Sequence, residues 1–211
     1  MSKKILLIPL LISLSYYTIA QDISLDELMG DLESEAKPAE LLPDRMLFSQ
    51  RILWGENGLY RKVGFAPKDL TAESRDKELR ARKIMFNVHQ TTGLLAAGGM
   101  IAQAIIGPKL YKGDFGIRNL HEGVALGTNI AYGTTALLAL TSPPPMVNRK
   151  KFDNIKLHKI LSIVHFSGMV TTNILAHKAG NGQVDKRWHR AAAITTFGAY
   201  AAAIASIKLE F

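Results

Sequence analysis

Residues 84–106 read IMFNVHQTTGLLAAGGMIAQAII. Three later stretches share this character: NLHEGVALGTNIAYGTTALLAL at 119–140, IKLHKILSIVHFSGMVTTNILA at 155–176 and WHRAAAITTFGAYAAAIASI at 188–207. Each is close to the roughly 20 apolar residues with which an α-helix crosses a bilayer. Inside hydrocarbon the backbone must satisfy its own hydrogen bonds, so helices are the expected form. The sequence therefore predicts an all-α integral membrane four-helix bundle over 84–207, preceded by a signal peptide at 1–20 and a polar segment at 21–83.

The 211 residues are 47% apolar, a moderate figure because the polar first third dilutes a strongly apolar remainder. The net charge of +8 lies mostly in short segments bordering the apolar stretches, where membrane proteins commonly carry it. No nucleic-acid recognition motif accompanies that charge, so nucleic acid is not an expected partner. The chain has no cysteine, which excludes disulfides, thiolate metal sites and thioether-linked haem. Any metal or haem must be held by His, Met or carboxylate.

At the amino end, Lys3 and Lys4 precede the apolar run ILLIPLLISL and the small-residue site Thr18-Ile19-Ala20. That is the pattern of a cleaved signal peptide, with an uncleaved anchor as the other reading. Residues after 21 then begin on the exported side, the periplasm of a bacterium, and the expected location is the bacterial inner membrane. The segment 21–83 opens with acidic QDISLDELMGDLESEAKPAE, compatible with a short amphipathic helix ending near Pro38. Turn signals follow at Gly55 to Gly58 and Gly64 to Pro67. Trp54, Tyr60 and Phe65 suit either the membrane interface or a small packed cap. A helical, highly charged pattern from Thr71 to Lys83 leads into the first span. So few apolar anchors predict a cap or arm rather than a catalytic domain.

With the amino end outside, the loops 107–118 and 177–187 face the cytoplasm, and 141–154 and the carboxyl end face the periplasm. The charge bias runs mildly against this orientation, because both sets of borders are basic; the export signal takes precedence. Gly93, Gly98, Gly99, Gly123, Gly127, Gly168 and Gly198 mark expected close approaches between helices.

Each stretch brings a histidine near one end, and an ionisable residue inside a membrane is a functional candidate. His89 and His158 fall near the periplasmic face, His121 and His189 near the cytoplasmic face. The helix rise separates the two layers by roughly 20–30 Å. Each pair suits the clamping of one b-type haem through neutral imidazoles, a site four-helix bundles build from facing helices. His165, seven residues after His158 and close to mid-membrane, is the alternative ligand on the third helix. Glu122 can orient the His121 ring or face the headgroups. The separated depths do not suit a zinc cluster, and no H-E-x-x-H pattern is present.

The fragments FNVHQTTG (86–93), RNLHEG (118–123), KLHKILSIVHFSG (156–168) and RWHRAA (187–192) resemble the cytochrome b561 family. The resemblance covers roughly residues 80–207. It implies a four-helix core holding two haems b, with His89, His158, His121 and His189 as iron ligands, paired first helix with third and second with fourth. It also implies electron transfer across the membrane between a donor and an acceptor that the sequence does not identify. Lys109, Lys112 and Arg118, just before His121, correspond to basic residues that bind an anionic donor in some members. The chain departs from the eukaryotic members in its signal peptide, its 21–83 segment and its lack of their last helix. The alternative expectation is a non-haem membrane scaffold or assembly subunit that presents residues 21–83 to a protein partner.

Overall fold

The computed structural model describes residues 41–146 and 151–207. The expected signal peptide and the amphipathic helix before Pro38 lie outside the described residues. The chain divides into two units, 1–39 and 40–211; the account below is of the second. Among the described residues all regular structure is helical: α1 (Phe48–Trp54), α2 (Leu59–Lys62), α3 (Ala72–Tyr111), a turn of 3-10 helix at Phe115–Ile117, α4 (Arg118–Thr141), α5 (Asn154–Gly180) and α6 (Lys186–Ser206).

Local chemistry sets these boundaries. Thr71 and Ser74 form a reciprocal capping box that starts α3, each side-chain oxygen taking the other's backbone N–H at 3.1 and 2.8 Å. From there α3 runs 40 residues without a break across Lys83, so the charged Thr71–Lys83 pattern and the first apolar stretch are one helix. Pro108, which cannot donate to the ladder, stands just before its end, and Gly113 turns the chain with φ of 106°. Asp153 and Asp185 cap α5 and α6 by accepting from Lys156 N and Arg187 N at 2.9 and 2.8 Å. Gly182, at φ 70°, ends the α5–α6 connection's first turn.

Three of these helices, α3, α4 with its leading 3-10 turn, and α5, are long and apolar enough to cross a membrane. The fourth long helix, α6, spans 21 residues and begins Lys186-Arg187-Trp188-His189-Arg190, which lowers its apolar content. The helices' outward faces are apolar: Leu94, Ile105, Leu126, Leu137, Ile163 and Ile194 are each more than half exposed. Such a surface suits hydrocarbon and would be an aggregation hazard in water.

The long helices form two antiparallel hairpins. α3 packs along α4, α5 packs along α6, and the hairpins meet chiefly between α3 and α6. Glycine makes both hairpins close. A β-carbon on Gly99 would collide with the Thr128 hydroxyl, and one on Gly168 with the Thr196 hydroxyl. Gly93 lies against Tyr200 and Thr135. The other expected contact glycines behave differently: Gly98, Gly123, Gly127 and Gly198 have no neighbouring atoms where a β-carbon would stand. Small size alone did not distinguish the inward face from the outward one.

Residues 41–71 make a cap against the end of α4. Trp54 packs edge-on against Tyr60 at 5.1 Å, and Tyr60 against Phe65 at 5.8 Å. This is the packed-cap reading of the three aromatics, although Phe65 remains 81% exposed. Four consecutive carbonyls at the end of α4, which the helix itself leaves unpaired, each receive a different donor. Trp54 Nε1 donates to Thr141 O at 2.7 Å, Gln50 Nε2 to Ser142 O at 3.2 Å, Arg82 to Pro143 O at 2.5 Å, and Arg75 to Pro144 O at 3.1 Å. Glu78, fully buried, joins Arg61 at 2.7 Å and also Arg75, so the cap and the α3 extension share one buried ion network.

Candidate functional site

The histidines fall into two facing pairs, one at each end of the bundle. At the cap end, His89 on α3 and His158 on α5 stand with ring centres 6.5 Å apart and ring planes crossed at 76°. At the other end, His121 on α4 and His189 on α6 stand 6.4 Å apart, crossed at 85°. His89 lies level with Thr135 and, 14 residues further along α3, Gln103 lies level with His121. The helix rise therefore separates the layers by about 21 Å.

Three of the four rings are aimed by their own hairpins. His89 Nδ1–H donates to the Thr135 carbonyl at 2.9 Å, His158 Nδ1–H to the Ala203 carbonyl at 2.8 Å, and His189 Nδ1–H to the Thr172 carbonyl at 3.1 Å. A carbonyl only accepts, so these bonds fix the proton on Nδ1 and leave Nε2 with its lone pair. Thr135, Ser162 and Thr172 are hydroxyl residues on the same faces; their side chains return to backbone or to other threonines (Thr135 Oγ1 to Thr92 Oγ1 at 2.7 Å, Ser162 Oγ to the His158 carbonyl at 2.7 Å). His121 differs. Its Nδ1 is buried without a partner, as is Gln103 Oε1, while Gln103 Nε2 donates to the His121 carbonyl at 2.7 Å.

His165, the alternative to His158, occupies another place. Its Nδ1 is 2.7 Å from the Tyr132 hydroxyl, its ring packs edge-on to Tyr200, and it is buried at mid-bundle. It faces no second histidine of the two pairs at ligand spacing; His158 does. His177, at the end of α5, is exposed and meets Asn181. Among the described residues no group of three or more His, Asp or Glu is arranged to hold a metal ion, so the histidines present themselves as pairs.

Glu122 pairs with Arg118 at 2.8 Å on the exposed side of α4, the headgroup-facing one of its two readings. Lys109 and Lys112 are exposed at the same end. The cations gathered there into a defined contact are different ones: Lys186 lies 4.5 Å over the Tyr111 ring and donates to its carbonyl at 2.7 Å, and Arg190 lies 4.9 Å from the same ring.

An internal repeat was the signal that sequence reading left unused. His89-x9-Gly99-Met100 recurs as His158-x9-Gly168-Met169, and His121-x6-Thr128-x3-Tyr132 recurs as His189-x6-Thr196-x3-Tyr200. The structure gives the repeat physical content. Both glycines meet the repeat's threonine, and both threonines donate to the carbonyl four residues back at 2.7 Å. Each hairpin thus contributes one histidine to each pair.

No family model, curated protein or solved structure matches this chain.

Proposed function

We propose that this chain is a b-type cytochrome of the b561 kind, a four-span membrane protein that holds one haem between His89 and His158 and another between His121 and His189. The observation that carries the reading is the spacing of the pairs. Two metal–imidazole bonds of about 2.0 Å, with each ring centre about 1.15 Å behind its nitrogen, require ring centres roughly 6.3 Å apart. The two pairs stand at 6.5 and 6.4 Å. The donor chemistry agrees: Nδ1–H held by a backbone carbonyl at three of the four rings directs a basic Nε2 into the space between the helices. Haem supplies a reversible one-electron couple when bound.

The chain's own residues then have defined tasks. The four histidines hold the iron, and Thr135, Ala203 and Thr172 hold the histidines through their carbonyls. The apolar bundle keeps the sites out of water, and with both sites filled an electron would enter at one face, pass once between layers about 21 Å apart and leave at the other face. α6 serves as the fourth span, the signal peptide sends the amino end out of the cell, and the cap covers the periplasmic pair in a bacterial inner membrane. Donor and acceptor approach opposite ends.

Single substitutions test the ligand assignment. His89→Ala and His121→Ala each leave one haem per chain and remove a different one of two spectral components. Retention of both haems in either variant contradicts the pairing. The scaffold reading rests on one observation, the exposure of Phe48 and Phe65 at 80% and 81% on the cap. It predicts a haem-free protein whose binding partner is lost with Phe48→Ser and Phe65→Ser.

A further inference from the structure

One buried apolar cluster fills the bundle's middle: Ala96, Met100, Tyr132, Met169 and Tyr200, with His165 set into it. His165 is seven residues along α5 from His158 and seven from Thr172, whose carbonyl holds His189. It therefore sits about 10 Å along the bundle from either histidine layer. The Tyr132 and Tyr200 rings are 5.7 Å apart, and His165 touches both, at 5.7 and 4.8 Å between centres. Each aromatic partner is pinned, Tyr132 by its 2.7 Å bond to His165 and Tyr200 by donating to the Gly93 carbonyl at 2.9 Å.

The repeat locates this cluster relative to both pairs. The operation that carries one hairpin onto the other exchanges Tyr132 with Tyr200 and Met100 with Met169. It also exchanges the two members of each histidine pair. Tyr132 lies three residues along α4 from Thr135, and Tyr200 three along α6 from Ala203, whose carbonyls hold the His89/His158 pair; each lies 11 residues from its own helix's histidine of the other pair, so both tyrosines stand between the two layers. Within this cluster His165 breaks the repeat by chemistry, since its counterpart is Ala96, fully buried. An alanine satisfies the packing on that side, so the fold alone does not call for an imidazole.

We propose that Tyr132, His165 and Tyr200 are the medium through which an electron crosses the membrane midplane between the two sites. The inference rests on the dihaem reading. In this step one electron leaves the reduced site and arrives at the oxidised one, while the three side chains keep their own electrons and protons. Their contribution is coupling: pinned, edge-on aromatic rings replace a longer path through saturated side chains or across gaps.

The test is the rate at which a flash-injected electron redistributes between the two sites of the full-length, detergent-purified protein, measured beside haem content and the two midpoint potentials. Tyr132→Phe/Tyr200→Phe keeps the rings and is expected to keep the wild-type rate. Tyr132→Leu/Tyr200→Leu is expected to slow redistribution severalfold at unchanged potentials and two haems per chain. His165→Ala, which copies the residue tolerated at Ala96, is expected to slow it less, and it decides the matter if the double leucine variant loses haem. A wild-type rate in His165→Ala, or in the leucine variant with both haems bound, overturns the conduit. A wild-type protein with fewer than two haems overturns the dihaem reading instead.

Discussion

The two ends of the bundle present the same pair of crossed imidazoles in opposite settings. At the cap end the chain closes over itself. Four successive carbonyls after α4 are tied to Trp54, Gln50, Arg82 and Arg75, and a fully buried Glu78 joins Arg61 to Arg75. At the far end the connections are short, Gln103 holds only the His121 backbone, and the side chains over Tyr111 are the cations Lys186 and Arg190. The two ends therefore differ in how closed they are. The capped pair lies beneath a network that would be costly to open, whereas the far pair stands beside exposed positive charge.

The largest effect should come from breaking the cap. Glu78→Ala leaves Arg61 and Arg75 buried without their common partner, a change that costs about 3–5 kcal/mol. Thermal melting in detergent should fall steeply, and haem should leave the His89/His158 site first. Equal loss from both sites would show that the cap does not act locally. A smaller effect is expected within the hairpins. Gly99→Ala and Gly168→Ala force a β-carbon onto Thr128 and Thr196, an overpacking of about 1–3 kcal/mol each. Thr128→Ser keeps the colliding hydroxyl and should not rescue Gly99→Ala, while Thr128→Ala should recover most of the lost melting temperature.

Trp54→Phe tests the clamp one bond at a time. It keeps an aromatic ring against Tyr60 but leaves the Thr141 carbonyl without its donor, for a loss of about 1 kcal/mol in the same melt. The smallest effect sharpens the far end. Lys186→Met and Arg190→Met remove cation–ring contacts worth about 0.5–1 kcal/mol at an exposed site. Stability should barely change, but reduction by an anionic mediator should slow at low ionic strength and converge with wild type as salt screens the charge. Unchanged salt dependence would remove these cations from partner docking.

Much of this arrangement was legible in the sequence because hydrophobic length and histidine depth are local properties. Four apolar stretches became four long helices, and the depth argument that preferred His158 over His165 corresponds to the facing of His89 and His158 across the bundle. What escaped was whatever depends on which way a face points. Gly98 and Gly123 read the same as Gly99 and Gly168, yet only the latter two meet a neighbour. Lys109 and Lys112 read as well as Lys186 and Arg190, yet only the latter two converge on Tyr111. A cap was among the expectations for 21–83, but what holds it was illegible for a different reason. Its ties are Glu78 joining Arg61 to Arg75, Arg75 donating to the Pro144 carbonyl and Arg82 to the Pro143 carbonyl, and most of them link segments that no periodicity connects. The repeat, by contrast, was written in the sequence all along, spread over four segments so that no single window contains it.

The measurement that bears most directly on the account is a reduced-minus-oxidised spectrum with haem quantitation on the detergent-purified full-length protein, expressed in cells that supply haem. Two b-type haems per chain are predicted, with low-spin bis-imidazole spectra and, in the oxidised protein, the highly anisotropic paramagnetic signals of crossed ligand planes. A protein that carries no haem would contradict the central claim.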